Sequence, residues 1–411
     1  MELPTPKRNN LLFQLLLVLA FAIPWAKKAL PSIIAIILLI ALYDFIRKKT
    51  ISQPTAPIAP VSLFAMFMLL VLGTTYTEHP DEAWNEIGIK LSFFIFPLLS
   101  FITPNYSNNQ VSKLQDSFIS GCFLFIGITV VHSAYETIQH QDFFYTSYDR
   151  LSWYIHPTYA AQYQAINLYF LTVMGMREKY LFNRKFIHYL ALIFVLIYIV
   201  LLSSKAGYIV ALAVMGWLFI QAIRSRISVT KSFSVLVITA SLFIFTILNL
   251  PSTSQRVENA IVDLQIAKQR SEENNNSSSE ATSTQMRIVT WNASLSVLMD
   301  NPFGTGTGDT QPALNTIYLK NSEEHPAKKN LNAHNQFLQV GAELGWPGIL
   351  SLLICLLALW QAFGGDYAIR LFVLLSALNF LFESMLEAQA GILFFSFWVM
   401  VYSKIDKRFQ E

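Results

Sequence analysis

Asn332-Ala333-His334-Asn335-Gln336-Phe337-Leu338-Gln339, followed closely by Gly345-Trp346-Pro347-Gly348, closes the only sizeable hydrophilic stretch lying between apolar runs, and a run able to enter a bilayer opens at Pro347. Read as the junction of a polar loop with a membrane span, it places one ionisable residue, His334, where aqueous chemistry would meet the membrane. Upstream the loop reaches back to about Pro251.

The rest of the chain supports that reading. Hydrophobic residues fill 54% of the 411 positions and charged residues 13%, against roughly 45–50% and about 25% in soluble domains. The apolar residues come in runs of roughly 16 to 22, and a spanning helix needs about 20. Continuous runs of this kind make helices and not a barrel. The expectation is an all-α polytopic membrane protein with about 12 transmembrane helices. They lie near 11–26, 30–46, 59–76, 88–103, 116–137, 159–176, 187–204, 206–223, 233–250, 347–363, 368–383 and 390–403. The first run lacks a small-residue cleavage site and is followed directly by another apolar run, so it reads as a span and the N-terminus is expected to be kept. Three parts follow: nine helices with short loops over 1–250, a long loop over 251–346, and three helices with the C-terminus over 347–411.

Lys and Arg collect in alternate connectors: Lys7 and Arg8; Arg47, Lys48 and Lys49; Arg177, Lys179, Arg184 and Lys185; Arg224, Arg226 and Lys231; Lys404, Lys407 and Arg408. The other set carries mainly Lys27, Lys28, Arg150 and Lys205. By the positive-inside rule both termini are cytoplasmic and the long loop is external. The net charge of +3 therefore reports topology, and with no basic patch interleaved with aromatics it gives no reason to expect nucleic acid. Cys122 and Cys355 lie inside apolar runs, which argues against a disulfide framework or a cysteine metal site.

The long loop is not uniform. Residues 256–267 alternate at helical spacing, whereas Ser271–Ser283 has no apolar periodicity and reads as a linker or lid tip. From Gln285 the pattern returns, with Ile288, Trp291, Leu295 and Leu298 making one apolar face, stopped by Pro302 and Gly304. The glycine-rich run 304–308 follows a helix and lacks the lysine of a phosphate loop, so it reads as a turn or hinge. Two or three short amphipathic helices on the membrane surface would roof a cavity.

Asn332 is a candidate N-cap, placing His334 in the first turn of a helix with Leu338 and Gly341 on its face. The positive end of that helix would keep the imidazole neutral, a competent general base; the plainer role is loop ordering. Arg287, in the first turn of the preceding helix, matches phosphate geometry bidentately or is simply solvated. Lys205, between two spans, either snorkels or meets an anionic ligand at the external face. Arg150 and His156 precede another span on the same side and could line the cavity, or His156 could cap its helix. Glu383 and Glu387, one turn apart in the last external turn, could pair with Arg287 or Lys205 or face water. No zinc or magnesium ligand set and no Ser-His-Asp arrangement is legible; the sequence favours metal-free base and cation chemistry without a cofactor.

Ser203-Ser204-Lys205-Ala206-Gly207, Arg287 with Trp291 and Asn301-Pro302-Phe303-Gly304-Thr305-Gly306, and His334-Asn335 with Glu343-Leu344-Gly345-Trp346-Pro347-Gly348 together resemble the O-antigen ligase and polymerase superfamily of bacterial polytopic glycosyltransferases. The resemblance implies a GT-C-like membrane fold in the bacterial inner membrane, with the long loop and active site facing the periplasm. It implies transfer of a glycan from undecaprenyl pyrophosphate to an acceptor hydroxyl, with inversion and without metal. His334 would activate the acceptor, Arg287 would hold the departing pyrophosphate, and Lys205, where the family often has arginine, would do so less specifically. The leading expectation is a ligase acting on lipid A-core, with membrane lipids as surroundings. A polymerase or a protein O-oligosaccharyltransferase uses a similar constellation. A transporter without chemistry would instead carry ionisable residues deep within paired or broken helices.

Overall fold

The computed structural model describes residues 5–48, 51–224, 283–362 and 367–406. Within them the apolar runs are helical, because a backbone in hydrocarbon must satisfy its own N–H and C=O groups. The helices are α1 (Thr5–Ala22), α2 (Leu30–Lys48), α3 (Ile58–Gly73), α4 (Pro80–Lys90), α5 (Ser92–Ile102), α6 (Asn108–His140), α7 (Pro157–Met176), α8 (Lys185–Leu201) and α9 (Lys205–Arg224). After them come α10 (Ser283–Asp300), α11 (Thr310–Lys320), α12 (Glu324–Lys328), α13 (Gln336–Ala362), α14 (Tyr367–Phe382) and α15 (Gln389–Ser403). Among the described residues four stretches are long and apolar enough to cross a membrane, namely α2, the α4–α5 rod, α6 and α13, and six shorter helices are apolar. No strand occurs among the described residues beyond an isolated bridge between Tyr106 and Ile405.

Every expected span among the described residues coincides with a helix, while the span at 233–250, the segment 256–267 and nearly all of the tract 271–283 lie outside them. Two boundaries move for local reasons. The helix expected from residue 88 starts at Pro80, where proline fits the first turn, Asp81 and Glu82 meet the positive helix end and Lys90 the negative one. The short helix expected to start at Asn332 begins at Gln336, and a break at Gly345 separates it from the span expected from residue 347: Gly345 has φ +67° and a Cβ there would stand 2.2 Å from the Pro302 carbonyl oxygen. Only glycine fits that conformation.

The break joins two of the quoted motifs. The Ala342 and Glu343 carbonyls accept from the Thr305 and Gly306 N–H groups at 2.9 and 3.1 Å, and Trp346 N–H donates to Pro302 at 2.9 Å. The turn at 304–308 thus uses these amides on α13, and Gly304, Gly306 and Gly308 all have positive φ. Asp309, at its end, accepts from Thr77 Oγ1, Glu78 N and His79 N.

The apolar face expected on α10 is split between buried and exposed positions. Ile288 and Leu295 are exposed, while Met286, Thr290, Ala293, Ser294, Val297 and Leu298 are buried. Small residues turn inward because they let α10 approach α13 closely, with Ala293, Val297 and Ala342 in one apolar cluster.

The connectors gather at two opposite ends, as the alternation of charged connectors requires. At one end Ser52 N bonds Phe101 O, Ala56 N bonds Ser403 O and Tyr106 N bonds Lys404 O. At the other lie the 74–79, 304–309, 332–336 and 383–388 segments.

Candidate active site

Asn335, not Asn332, caps α13: its Oδ1 accepts from Phe337 N at 3.0 Å and Leu338 N at 3.1 Å. Asn332 instead forms an Asx turn, accepting from His334 N at 3.0 Å. His334 therefore lies ahead of the helix, not in its first turn beside Leu338 and Gly341. Its φ of +46° is a left-handed conformation uncommon for a residue with a Cβ. The Asx turn and the Asn335 cap hold it there, and both are available only because short amide side chains flank it.

The same stretch is fastened to the connector between α14 and α15. Asn335 N donates to Ser384 Oγ, Asn335 Nδ2 donates to Leu381 O, and Gln336 Oε1 accepts from Leu386 N. These bonds bring Glu383 to His334, with Nδ1 to Oε1 at 3.2 Å. Glu383 is buried, which alone would raise its carboxyl pKa; the hydrogen bond from His334, with the fields of the His334, His156 and Arg287 side chains, holds it below the ordinary value. An ionised Glu383 accepts from Nδ1–H, which leaves Nε2 of His334 as the proton acceptor.

His156 caps α7, its Nδ1 accepting from Thr158 N at 3.4 Å, so its proton sits on Nε2. Desolvation by the surrounding protein lowers its pKa; Glu383 opposes this, and His334 and Arg287 reinforce it. Arg287 is half-buried, one turn beyond the start of α10 and not in its first turn. Thr290 on the same helix donates to Ala333 O, tying α10 to the stretch ahead of His334. Ser204 caps α9 by accepting from Gly207 N and donates to Thr158, so Lys205, first residue of α9, starts its helix beside that of His156. The Lys205 side chain itself lies outside the described residues.

Two expected site residues are engaged elsewhere. Arg150 is exposed, 3.1 Å from Asp142 and stacked over Tyr145. Glu387 pairs with Lys90, at 3.0 Å, and accepts from Gln336 Nε2. Burial, and behind it the Glu86 charge, keeps the Glu387 carboxyl above its usual range in spite of Lys90. The two acids are not one helical turn apart either, since α14 ends at Phe382 and a separate turn spans Met385–Glu387.

Lys90, Glu343 and Gln336 were not legible as members of this end of the molecule. The available signal was a lysine near the start of the apolar run 88–103 and a glutamate just ahead of the run from 347, where an ionisable group entering an apolar setting needs a partner.

These features define an all-helical protein with apolar helices consistent with a membrane protein, gathering an imidazole–carboxylate pair, a second histidine and an arginine at one end. Residues 190–353 match the O-antigen ligase family model, a stretch that contains Lys205, Arg287 and His334. That match is consistent with the resemblance to the O-antigen ligase and polymerase superfamily and supports a coarse enzymatic role, since its members are glycosyltransferase-like. No curated protein matches the chain.

Proposed function

We propose that this protein is an O-antigen ligase of the bacterial inner membrane. It would transfer a glycan from undecaprenyl pyrophosphate to a hydroxyl of lipid A-core at the periplasmic face, with inversion and without a metal. The observation that carries this reading is the His334–Glu383 pair at 3.2 Å with Arg287 close enough to act on the same carboxylate. Glu383 fixes the Nδ1–H tautomer, and Nε2 takes the proton of the acceptor hydroxyl as its oxygen attacks the anomeric carbon. The bond from that carbon to the pyrophosphate oxygen breaks on the opposite side, and the electron pair leaves with the pyrophosphate. Arg287 and Lys205 neutralise the departing charge, which needs cations more than it needs a proton. The base and the leaving-group cations are then separate residues, as a single in-line displacement requires.

A polymerase would use the same donor and base, so the test must read the product. His334→Ala is expressed in a host lacking the native chain and lipopolysaccharide is resolved on a gel. Loss of long-chain lipopolysaccharide with polymerised lipid-linked glycan retained is the expected result. Loss of polymerisation itself makes the protein a polymerase, and an unaltered ladder ends the catalytic role of His334.

A further inference from the structure

Lys90 has no place in the chemistry above, yet its buried ammonium faces three carboxylates. Its buried Nζ lies 2.8 and 2.6 Å from the two oxygens of Glu343, 3.0 Å from Glu387 and 3.8 Å from Glu86. These partners come from α13, from the connector between α14 and α15, and from α4 itself. Glu343 lies two turns along the helix that Asn335 caps, and Glu387 lies one short turn beyond Glu383. A small cavity lined by Lys90, Gln336, Glu343 and Glu387 sits where the three elements meet. Beside the hydrogen bonds of His334, Asn335 and Gln336 and the burial of Met385 and Leu386 in the core, the Lys90 pairing ties residues 383–387 to α4.

A buried ion cluster is a weak source of stability, because desolvation offsets most of the Coulomb attraction; what it does impose is a fixed geometry on whichever elements supply the charges. Here those elements bear the two halves of the imidazole–carboxylate pair. We infer that Lys90 is a positioning residue for His334 and Glu383: its ammonium clamps the 383–388 connector to α13, so that the carboxylate stays at hydrogen-bond distance from the imidazole. The inference rests on His334 acting as the base.

The test uses the full chain in lipid nanodiscs with a polyprenyl-pyrophosphate glycan as donor and lipid A-core as acceptor. In Lys90→Met, amide exchange over 383–388 should quicken, led by Leu386, while the α5 and α6 amides keep their protection. A displacement of this kind should lower kcat about 100-fold and leave the donor KM within about threefold. Lys90→Arg, which can still bridge two carboxylates, should recover most of both. Unchanged exchange in the connector overturns the inference, and so does an undiminished kcat. If Lys90→Met does not fold, Glu387→Gln removes the connector arm alone and should shift exchange and kcat in the same direction; no shift in either again overturns it. Should His334→Ala retain full turnover, the base reading fails by itself, while the exchange measurement still decides whether Lys90 holds the connector.

Discussion

The two ends of the helical bundle are joined by different means. At the end bearing residues 51–57, 100–106 and 403–406, backbone bonds such as Ala56 N to Ser403 O and Asp406 N to Tyr106 O run beside side-chain bonds of neutral groups, such as Thr55 Oγ1 to Ile405 O and Asn105 Nδ2 to Gln53 O. Among the described residues the one buried cation there is Lys404, whose ammonium meets Ser100 O and Ser52 Oγ and no carboxylate in these contacts. At the opposite end backbone bonds join the 302–306 turn to α13, but side chains, several of them ionisable, join the rest: Asn335, Gln336, Glu383 and Glu387 hold the connectors, and ionisable groups act on one another. Backbone bonds tolerate many sequences, whereas ionisable side-chain pairs demand particular residues. The difference separates an end that closes the fold from an end that arranges charge.

If that division is right, substitutions at the charged end should remove activity before stability. The largest effect belongs to His334→Ala, where loss of a general base should lower kcat about 100- to 10,000-fold while the melting temperature in detergent stays close to that of the parent. Next is Glu383→Gln, which keeps the shape but removes the charge that sets the imidazole tautomer. Turnover should fall about 10- to 100-fold, the scale seen when an orienting partner is lost. An unchanged rate would show that the 3.2 Å contact orders the loop and nothing more. Arg287→Lys should act mainly on the donor: losing one charge-assisted hydrogen bond, about 1.5–3 kcal/mol, should lower kcat/KM about tenfold or more for the pyrophosphate donor. Equal donor use by both variants would remove the bidentate contact from the scheme.

Much of this contrast was legible in the sequence, and the part that was not has a common cause. Apolar runs and the alternation of Lys and Arg predicted the helices and the two sets of connectors, because bilayer thickness and loop charge act on local sequence. His334, Arg287 and Glu383 were picked individually because an ionisable residue beside an apolar run is conspicuous. Pairing was not predictable in the same way. Glu383 meets His334 across 49 positions and Lys90 meets Glu343 across 253, distances at which composition and spacing carry no information. The misplacement of the N-cap by three residues came from a real competition, since Asn332 and Asn335 are both good caps and only the hydrogen bonds of Asn335 to Phe337 and Leu338 decide between them. On α10 Leu298 of the expected apolar face is buried, while Ile288 and Leu295 stay exposed, as residues of a face laid on a membrane surface can.

The smallest effect on turnover is expected at the other end, from Lys404→Met, and there stability should respond. Burial without a carboxylate pushes the Lys404 ammonium down to about 7. In the unfolded chain the same group titrates near its ordinary value of 10.5. Between those two values the unfolded state binds a proton that the folded state does not, so raising the pH favours the fold, by about 1.4 kcal/mol per pH unit across the window. Below about pH 7 both states are protonated and the full cost of the buried charge is present. Methionine fills a similar volume without that charge. The variant should therefore melt higher than the parent at pH 6 to 7, lose the gain as the pH approaches 10, and turn over donor at a rate within about twofold of the parent. Melting curves that run parallel across this range would mean that the Ser100 carbonyl and Ser52 hydroxyl solvate the ammonium as well as water does. A loss of turnover would mean that the two ends are not independent, and that the end around Lys404 also governs the geometry of His334.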